Sequence, residues 1–183
     1  VVVGNEISLA DMNAVQSSLS GVQAVASSTR SIPTAVASGG SEYRSSLVGV
    51  TEGFQAIRNL VLLQGRFLDA ADMRARSKVC VITEELARLV FPNSDPVGAS
   101  VRSGELSFTV VGVFRERVAT FGLSEVQRYT MLIPFPLMRT YSGDESVGVL
   151  YAQATGPESV IPLTRQVEIL LRNRHPGGTY IVE

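Results

Sequence analysis

The sequence predicts an α+β fold in which two β-α-β units, one from each end of the chain, pack into one sheet. Three observations support this prediction: a valine strand followed by a capped helix at the start, a long amphipathic helix between two strands at the end, and short strands and helices between them. A β-α-β unit covers its own sheet poorly, so the two are expected to combine. We predict one lobe from residues 1–50 and 145–183, with residues 51–144 inserted as a second, strand-rich lobe.

The N-terminal unit begins with a strand at Val1–Val3 and continues into a helix. Ser8 and Asp11 form a Ser-x-x-Asp variant of the capping box, in which the Ser8 hydroxyl accepts from the backbone N–H of Asp11. Apolar residues then recur at helical spacing, and a glycine suited to the C′ position ends the helix. These residues are Leu9, Met12, Val15, Leu19 and Gly21, and a strand at Val22–Ser28 follows them.

A β-hairpin is predicted next, with strands at Ile32–Ala37 and Tyr43–Val50. The turn between them contains Gly39 and Gly40. A glycine pair allows positive φ angles in a tight connection, which is typical of hairpin turns.

The middle segment alternates short helices with short strands. Asp69 and Asp72 form a second box-like helix start, and Lys78–Ile82 is nearly all apolar, which is typical of a strand covered on both faces. Thr83 is the expected N-cap of the helix that follows. The other predicted elements are a helix at Glu52–Leu60, a helix at Glu84–Val90, a hairpin of Val97–Arg102 and Leu106–Phe114, an exposed loop at Arg115–Tyr129, a strand at Thr130–Ile133 and a helix at Leu137–Tyr141.

The C-terminal unit has the clearest pattern. A strand at Val147–Ala154 precedes a helix at Glu158–Arg174, which has apolar residues along one face. Pro162 falls in the first turn of this helix, where its missing N–H does no harm. A Pro-Gly-Gly sequence ends the helix, and Tyr180–Val182 forms the last strand.

Composition excludes several classes of protein. The 183 residues are 45% hydrophobic with a formal net charge of −1, so the chain folds into a core of ordinary size and is not disordered. Basic and acidic residues are balanced and spread along the chain, which argues against a nucleic-acid partner. No apolar run reaches the roughly 18 residues of a membrane-spanning helix.

The sequence carries almost no signature of catalysis, of a metal site or of a cofactor site. The single histidine, His175, follows an arginine at the end of a helix, where it is expected to cap the helix or face solvent. The single cysteine, Cys80, lies in an apolar strand and is expected to be a small buried side chain. Without a phosphate-binding loop or metal-ligand spacing, we predict no enzyme activity, no metal and no cofactor.

Four short signals occur in a fixed order between Leu63 and Phe114. They are Gly65-Arg66-Phe67, the strand Lys78–Ile82, the helix end Leu89-Val90-Phe91, and Asp95-Pro96-Val97-Gly98 leading into Phe108–Val113. Each signal is weak alone, and two of them are turns by their own chemistry. Their order over about fifty residues is more specific, and in that order they resemble the extracytoplasmic domain of MacB-type ABC transporter permeases in the MacB/FtsX superfamily.

This resemblance implies a periplasmic domain of an inner-membrane protein, built from a porter-like lobe of both chain ends and an inserted sabre-like lobe. The implied partners are the transmembrane helices and the ATPase of the same transporter, with a membrane-fusion adaptor as a further possible partner. The domain would transmit movement without chemistry of its own, and the isolated domain would be monomeric. A lipoprotein-releasing or FtsX-like regulatory transporter is the nearest variant, and a free-standing extracytoplasmic binding module that uses the cleft between the lobes is the alternative.

One segment is a candidate partner-binding loop. It lies between Arg115 and Tyr129, where the sequence follows no pattern of the family. Its apolar centre is flanked by charged residues, a composition that suits an exposed tip for protein contacts. The candidate contact residues are Arg117, Phe121, Leu123 and Arg128.

Overall fold

The computed structural model describes residues 1–4, 6–117, 124–143 and 146–182, and the α+β class is confirmed. Strands and helices follow one another closely in the predicted order. The strands are β1 Val2–Gly4, β2 Val22–Ser28, β3 Ile32–Ser38, β4 Ser41–Val50, β5 Val61–Gly65, β6 Val79–Thr83, β7 Ser100–Ser103, β8 Leu106–Arg115, β9 Thr130–Pro134, β10 Val149–Ala154 and β11 Tyr180–Val182. The helices are α1 Leu9–Ser18, α2 Phe54–Ile57, α3 Ala70–Ala75, α4 Glu84–Val90, α5 Arg139–Ser142 and α6 Val160–Arg174.

All the described strands belong to one sheet, and part of that sheet closes on itself. The order β4-β3-β7-β8-β6-β9 becomes a ring of six strands because β9 also pairs with β4. Most neighbours are antiparallel, whereas β4 with β9 and β6 with β8 are parallel. The strands β11-β1-β10-β2 extend from the ring as a second part of the sheet, here called the terminal sheet.

The two ends of the chain lie side by side in the terminal sheet. Strand β1 pairs antiparallel with β11, and Val2 is the pairing partner of Val182. Strand β10 pairs with the other edge of β1. The start of β1 and the end of β11 are therefore neighbours at one edge of the sheet.

Helices α1 and α6 cover one face of the terminal sheet. Their buried residues Val15, Leu163, Val167 and Leu171 pack against alternate strand residues such as Leu150. The predicted capping box at the start of α1 is present, with the backbone N–H of Asp11 donating to the Ser8 hydroxyl and the backbone N–H of Ser8 donating to the Asp11 carboxylate. Among the described helices, none is both long and apolar enough to cross a membrane.

The ring of six strands has a separate hydrophobic core, and the space between the ring and β10 has another. Phe108, Met131 and Ile133 belong to the ring core, which also contains Cys80 and one face of α4. Cys80 is fully buried, as predicted, and burial raises the pKa of its thiol. Tyr151 of β10 belongs to the second core, which is formed mainly by residues of the ring and of the segments around α2 and α3.

Gly65 and Arg66 connect β5 to the segment before α3. Gly65 has a φ of +70°, and the backbone N–H of Arg66 donates to the carbonyl oxygen of Val111 at 2.9 Å. The guanidinium of Arg66 donates to both carboxylate oxygens of Asp72, at 2.7 and 3.2 Å. Asp72 also closes the capping box of Asp69 at the start of α3. The motif therefore fixes how α3 sits against the edge of the sheet.

The Asp-Pro-Val-Gly segment is a turn, as its chemistry predicts. The carboxylate of Asp95 accepts from the backbone N–H of Val97 at 3.0 Å. Gly98 has a φ of +89°, and its N–H donates to the carbonyl oxygen of Val110 at 2.8 Å. This turn directs the chain into β7 beside β8.

Two predicted helices differ from the structure, and one strand was not predicted. The helix predicted at Glu52–Leu60 is limited to α2, because Asn59 takes a left-handed conformation with a φ of +52° and the chain then enters β5. The strand β5 itself was not predicted. The helix predicted at Leu137–Tyr141 consists of a 3₁₀ turn at Phe135–Met138 followed by α5.

The division of the chain into lobes of residues 1–50 with 145–183 and of residues 51–144 stays a prediction. Within the sheet, β4 has one register partner in β2, Ser28 with Val50. It has five in β9, from Ser46 with Thr130 to Val50 with Pro134. The hairpin β3–β4 therefore pairs extensively with strands on the other side of the predicted boundary.

Candidate functional site

The predicted partner-binding loop connects β8 to β9. Arg117 and Arg128 are exposed on the two sides of this connection. Phe121 and Leu123 lie outside the described residues. The guanidinium of Arg128 lies over the ring of Tyr129, at 5.4 Å from its centroid, where a cation is attracted by the aromatic face.

The base of the loop is held by one arginine from the end of α2. Nε of Arg58 donates to Glu125 at 3.0 Å, and its Nη2 donates to Glu116 at 3.2 Å and to Ser124 at 3.0 Å. The Ser124 hydroxyl donates to Glu116 at 2.7 Å. The side chains of Arg58, Glu116 and Glu125 are only 10–20% exposed. Both sides of the loop are thus joined at one partly buried ionic cluster.

Tyr151 of β10 completes this cluster from the terminal sheet. Its hydroxyl donates to Glu125 at 2.6 Å, and the guanidinium of Arg58 lies 5.8 Å from the centroid of its ring. The ring of Phe54 packs edge-on against Tyr151, with centroids 6.0 Å apart. Val126 is 5% exposed and packs in the same core. We call Arg58, Glu116, Ser124, Glu125 and Tyr151 the loop-base cluster.

The surroundings of the cluster keep its two donors to Glu125, Arg58 and Tyr151, protonated. Burial would lower the pKa of Arg58, but the charge of Glu125 and the other neighbouring groups offset it and raise that pKa above its usual value. Burial raises the pKa of Tyr151, and the charge of Glu125 raises it further. Tyr151 therefore remains a hydrogen-bond donor to Glu125 at every physiological pH.

The side of the loop next to β9 is anchored by threonine hydroxyls. Thr83 was predicted to cap α4, but its side chain makes no cap hydrogen bond. Its hydroxyl donates instead to the carbonyl oxygen of Arg128 at 2.8 Å and accepts from the N–H of Thr130 at 3.2 Å. The Thr130 hydroxyl bonds both backbone groups of Gln127. The segment 115–129, predicted to be an exposed loop, is therefore held firmly at its described ends.

The anchoring hydroxyl gives a direct prediction. The change Thr83→Val keeps the shape of the side chain but leaves the buried N–H of Thr130 and the carbonyl oxygen of Arg128 without this partner, so the free energy of unfolding is expected to fall by about 1–2 kcal/mol. Urea unfolding measures this loss. Thr83→Ser keeps the hydroxyl and is the control. An equal loss in both variants would mean that the methyl group, and not the hydrogen bonds, supports the loop.

Sequence reasoning did not find the loop-base cluster. Arg58, Glu116, Glu125 and Tyr151 are separated by up to 93 positions, and each is an ordinary residue in its local pattern. The available signal is weak: Glu116 and Glu125 lie on the two sides of the loop, where a nearby cation would offset their repulsion. Without the topology, the sequence does not say which cation this is.

His175 belongs to an ionic cluster with Asp11 and Arg174 that joins the end of α6 to the start of α1. His175 lies at the C-cap of α6, as predicted, and its Nε2 lies 2.9 Å from the carboxylate of Asp11. Arg174 donates to the same carboxylate. The described residues contain no group of three or more His, Cys, Asp or Glu side chains placed to hold a metal ion.

The six-stranded ring, the terminal sheet that holds both chain ends and the ordered motif series together define a class of protein, the extracytoplasmic domains of ABC transporter permeases. The family model described as the MacB-like periplasmic core domain matches residues 2–170. The chain belongs to this family, which confirms the resemblance and the extracytoplasmic location.

Relatives with known names agree with this membership. The chain is 29% identical over 176 residues to the macrolide export ATP-binding/permease protein MacB of Rhodospirillum rubrum, which covers 94% of the chain and 27% of the relative. It is 30% identical over 168 residues to MacB 1 of Aeromonas hydrophila, which covers 90% of the chain and 26% of the relative. The chain spans about a quarter of the length of these curated relatives.

Solved structures share the fold. The periplasmic region of MacB from Actinobacillus actinomycetemcomitans superposes with a TM-score of 0.82 at 21% identity, covering 98% of this chain and 80% of that one. The extracellular domain of the ABC-type transporter YknZ from Gram-positive bacteria gives a TM-score of 0.82 at 18% identity, covering 100% of both chains. The α+β architecture is therefore that of known transporter domains.

Proposed function

We propose that the chain is the extracytoplasmic domain of a MacB-like ABC transporter permease, and that it couples ATP-driven movement of the membrane part to substrate export or to partner proteins. The domain itself performs no chemistry in this proposal. Its partners are the transmembrane helices and the ATPase of the same transporter. The isolated domain is monomeric, and the lobe formed by the chain ends receives the movement.

The pairing of β1 with β11 is the observation that carries this proposal. Val2 and Val182 are neighbours on antiparallel strands, so the flanking segments of a longer protein leave the domain at one place. A domain inserted between two consecutive transmembrane helices requires this arrangement. A movement of those two helices would then act directly on the terminal sheet.

The reading frame on both sides of the chain tests the proposal. We expect an apolar segment of about 20 residues before Val1 and another after residue 183, with an ATPase in the same frame or in an adjacent gene. A cleavable signal peptide before Val1 and a stop codon directly after residue 183 would contradict the proposal. That result would favour the free-standing binding module.

We further propose that the loop between β8 and β9 is the contact surface for a membrane-fusion adaptor. Exchange of the four candidate residues Arg117, Phe121, Leu123 and Arg128 for serine is expected to weaken adaptor binding at least about tenfold, because aromatic and arginine side chains dominate protein interfaces. Binding of the purified chain to the adaptor encoded beside the parent gene is measured by calorimetry.

The exposed face of α6 offers a matched control for this loop variant. Two exposed arginines and two exposed large apolar residues of this face match the loop residues in kind, and the two isoleucines, Ile161 and Ile169, are 67% and 61% exposed. Equal losses of affinity in the two variants would show that the loop is not the specific contact. The control exchanges are Ile161→Ser, Arg165→Ser, Ile169→Ser and Arg172→Ser.

A further inference from the structure

We propose that the loop-base cluster is a coupling device, in which Tyr151 and Glu125 link the conformation of the β8–β9 loop to the strands at the chain ends. This inference deepens the proposed function and rests on it for the origin of the movement. Its observation is the 2.6 Å hydrogen bond from the Tyr151 hydroxyl to the Glu125 carboxylate. That bond joins the β8–β9 loop to strand β10 of the terminal sheet.

The position of Tyr151 depends on the terminal sheet, because Tyr151 lies in β10. The preceding residue, Leu150, pairs with Val2 in β1, and Tyr151 itself pairs with Ala26 in β2. Strand β1 in turn pairs with β11. Tyr151 is 8% exposed and its ring packs edge-on against Phe54, so a shift of β10 is expected to carry the hydroxyl with it.

A displacement of the loop is expected to move Glu125, because both sides of the loop base bind the same cation, the guanidinium of Arg58. The guanidinium of Arg58 bridges Glu125 and Glu116, and Ser124 donates to Glu116 and accepts from the N–H of Val126. A displacement of one side of the loop therefore disturbs the partners of the other side. Ser124 lies in this cluster without touching Tyr151 in the described contacts.

The coupling follows from the shared acceptor. If the loop moves Glu125 away, the buried Tyr151 hydroxyl and the largely buried Arg58 guanidinium lose a charged partner together. Buried polar groups without a partner are costly, so β10 and Arg58 shift with the loop to keep their hydrogen bonds. Conversely, a displacement of β10 pulls on Glu125. Removal of the Tyr151 hydroxyl should leave both parts folded and uncouple them.

A double-mutant cycle in the full 183-residue chain tests this device. The loop side is disturbed by Ser124→Ala, the link is cut by Tyr151→Phe, and the two changes are combined. Amide hydrogen exchange is followed in peptides from β10 and β1. In the chain that keeps Tyr151, Ser124→Ala is expected to raise exchange in these strands about threefold, and in the chain with Tyr151→Phe it is expected to leave them unchanged.

Two controls separate coupling from simple loss of stability. Tyr141→Phe removes another tyrosine hydroxyl bond, to the carbonyl oxygen of Ser103 at 2.8 Å, and should leave the effect of Ser124→Ala on β10 intact. Glu116→Gln disturbs the loop base by a second route and should repeat the result of Ser124→Ala. The proposal is overturned if Ser124→Ala affects β10 equally with and without the Tyr151 hydroxyl, or has no effect in either chain.

This measurement is independent of the transporter assignment. It uses the chain alone, so a positive cycle stands even if the flanking reading frame lacks transmembrane helices. A negative cycle would leave the assignment in place and remove only this route of coupling.

Discussion

The change Asp11→Ala is expected to lower the free energy of unfolding by about 3 kcal/mol, because it removes a buried carboxylate that pairs with Arg174 and also closes the capping box of α1. The Asp11 side chain is fully buried, and its carboxylate accepts from Arg174 at 2.5 Å, from the backbone N–H of Ser8 at 2.8 Å and contacts His175 at 2.9 Å. This single carboxylate therefore joins the start of α1 to the end of α6 over the terminal sheet.

Urea unfolding of the native chain and of Asp11→Ala at neutral pH measures this loss of stability. The exposed pair of Arg172 and Glu168 on the same helix is the control, since these side chains are 72% and 43% exposed. Glu168→Gln is expected to change the free energy of unfolding by less than about 0.5 kcal/mol. A comparable loss in both variants would mean that α6 depends on general charge and not on the buried carboxylate.

The same carboxylate gives a pH dependence. Burial alone would raise the pKa of Asp11, but hydrogen bonds from Arg174, Ser8 and His175 lower it from 3.8 to about 2. A lowered pKa in the folded state stabilises the fold above the unfolded-state pKa, and this contribution of about 2 kcal/mol is lost as the pH falls from about 4 to about 2. The stability difference between the native chain and Asp11→Ala should therefore narrow over that range, and a constant difference would contradict the assigned pKa.

The parts of the fold that the sequence predicted are those fixed by local chemistry. The capping box of Ser8 and Asp11, the hairpin around Gly39 and Gly40, and the amphipathic pattern of α6 each involve residues within a few positions of one another. Their physical causes are short-range, so pattern and spacing are sufficient to predict them. That the two β-α-β units combine into one sheet was likewise expected, because neither unit covers its own sheet well.

The closure of the ring was not predicted, because it depends on pairing between distant segments. Strand β4 pairs in parallel with β9 about eighty positions later, and neither sequence contains a feature that specifies the other. Strand β5 was missed for a related reason: Val61 and Leu62 continue an apolar helical pattern, and only the pairing with β8 makes them a strand. In both cases tertiary contacts override the local preference.

The sequence likewise predicted one part of the candidate site, the loop, and not the cluster that supports it. Its loop was located by the absence of a pattern and by an apolar segment flanked by charges, and these are visible in the sequence. The cluster that supports the loop was not predictable, because Arg58 and Tyr151 come from segments on opposite sides of the loop in sequence. Thr83 occupies the predicted N-cap position of α4, but its hydroxyl bonds the loop and not the helix that it precedes.

The change Gly65→Ala is expected to cost about 3–4 kcal/mol, because it combines backbone strain with a steric clash. Gly65 has a φ of +70°, a conformation that an L-residue adopts at a cost of about 1–2 kcal/mol. A Cβ atom there would lie 2.1 Å from the carbonyl oxygen of Val111. That oxygen accepts from the N–H of Arg66, so relief of the clash would break this bond and displace the Arg66–Asp72 pair.

The change Gly98→Ala separates these two contributions. Gly98 has a φ of +89° in the Asp-Pro-Val-Gly turn, but a Cβ atom there would meet no other atom within 4 Å. We expect Gly98→Ala to cost only the strain, about 1–2 kcal/mol, when both variants are unfolded in urea. Equal losses would mean that conformation alone requires the motif glycine. A larger loss at Gly65 would show that the motif also requires glycine because the backbone of β8 approaches it closely.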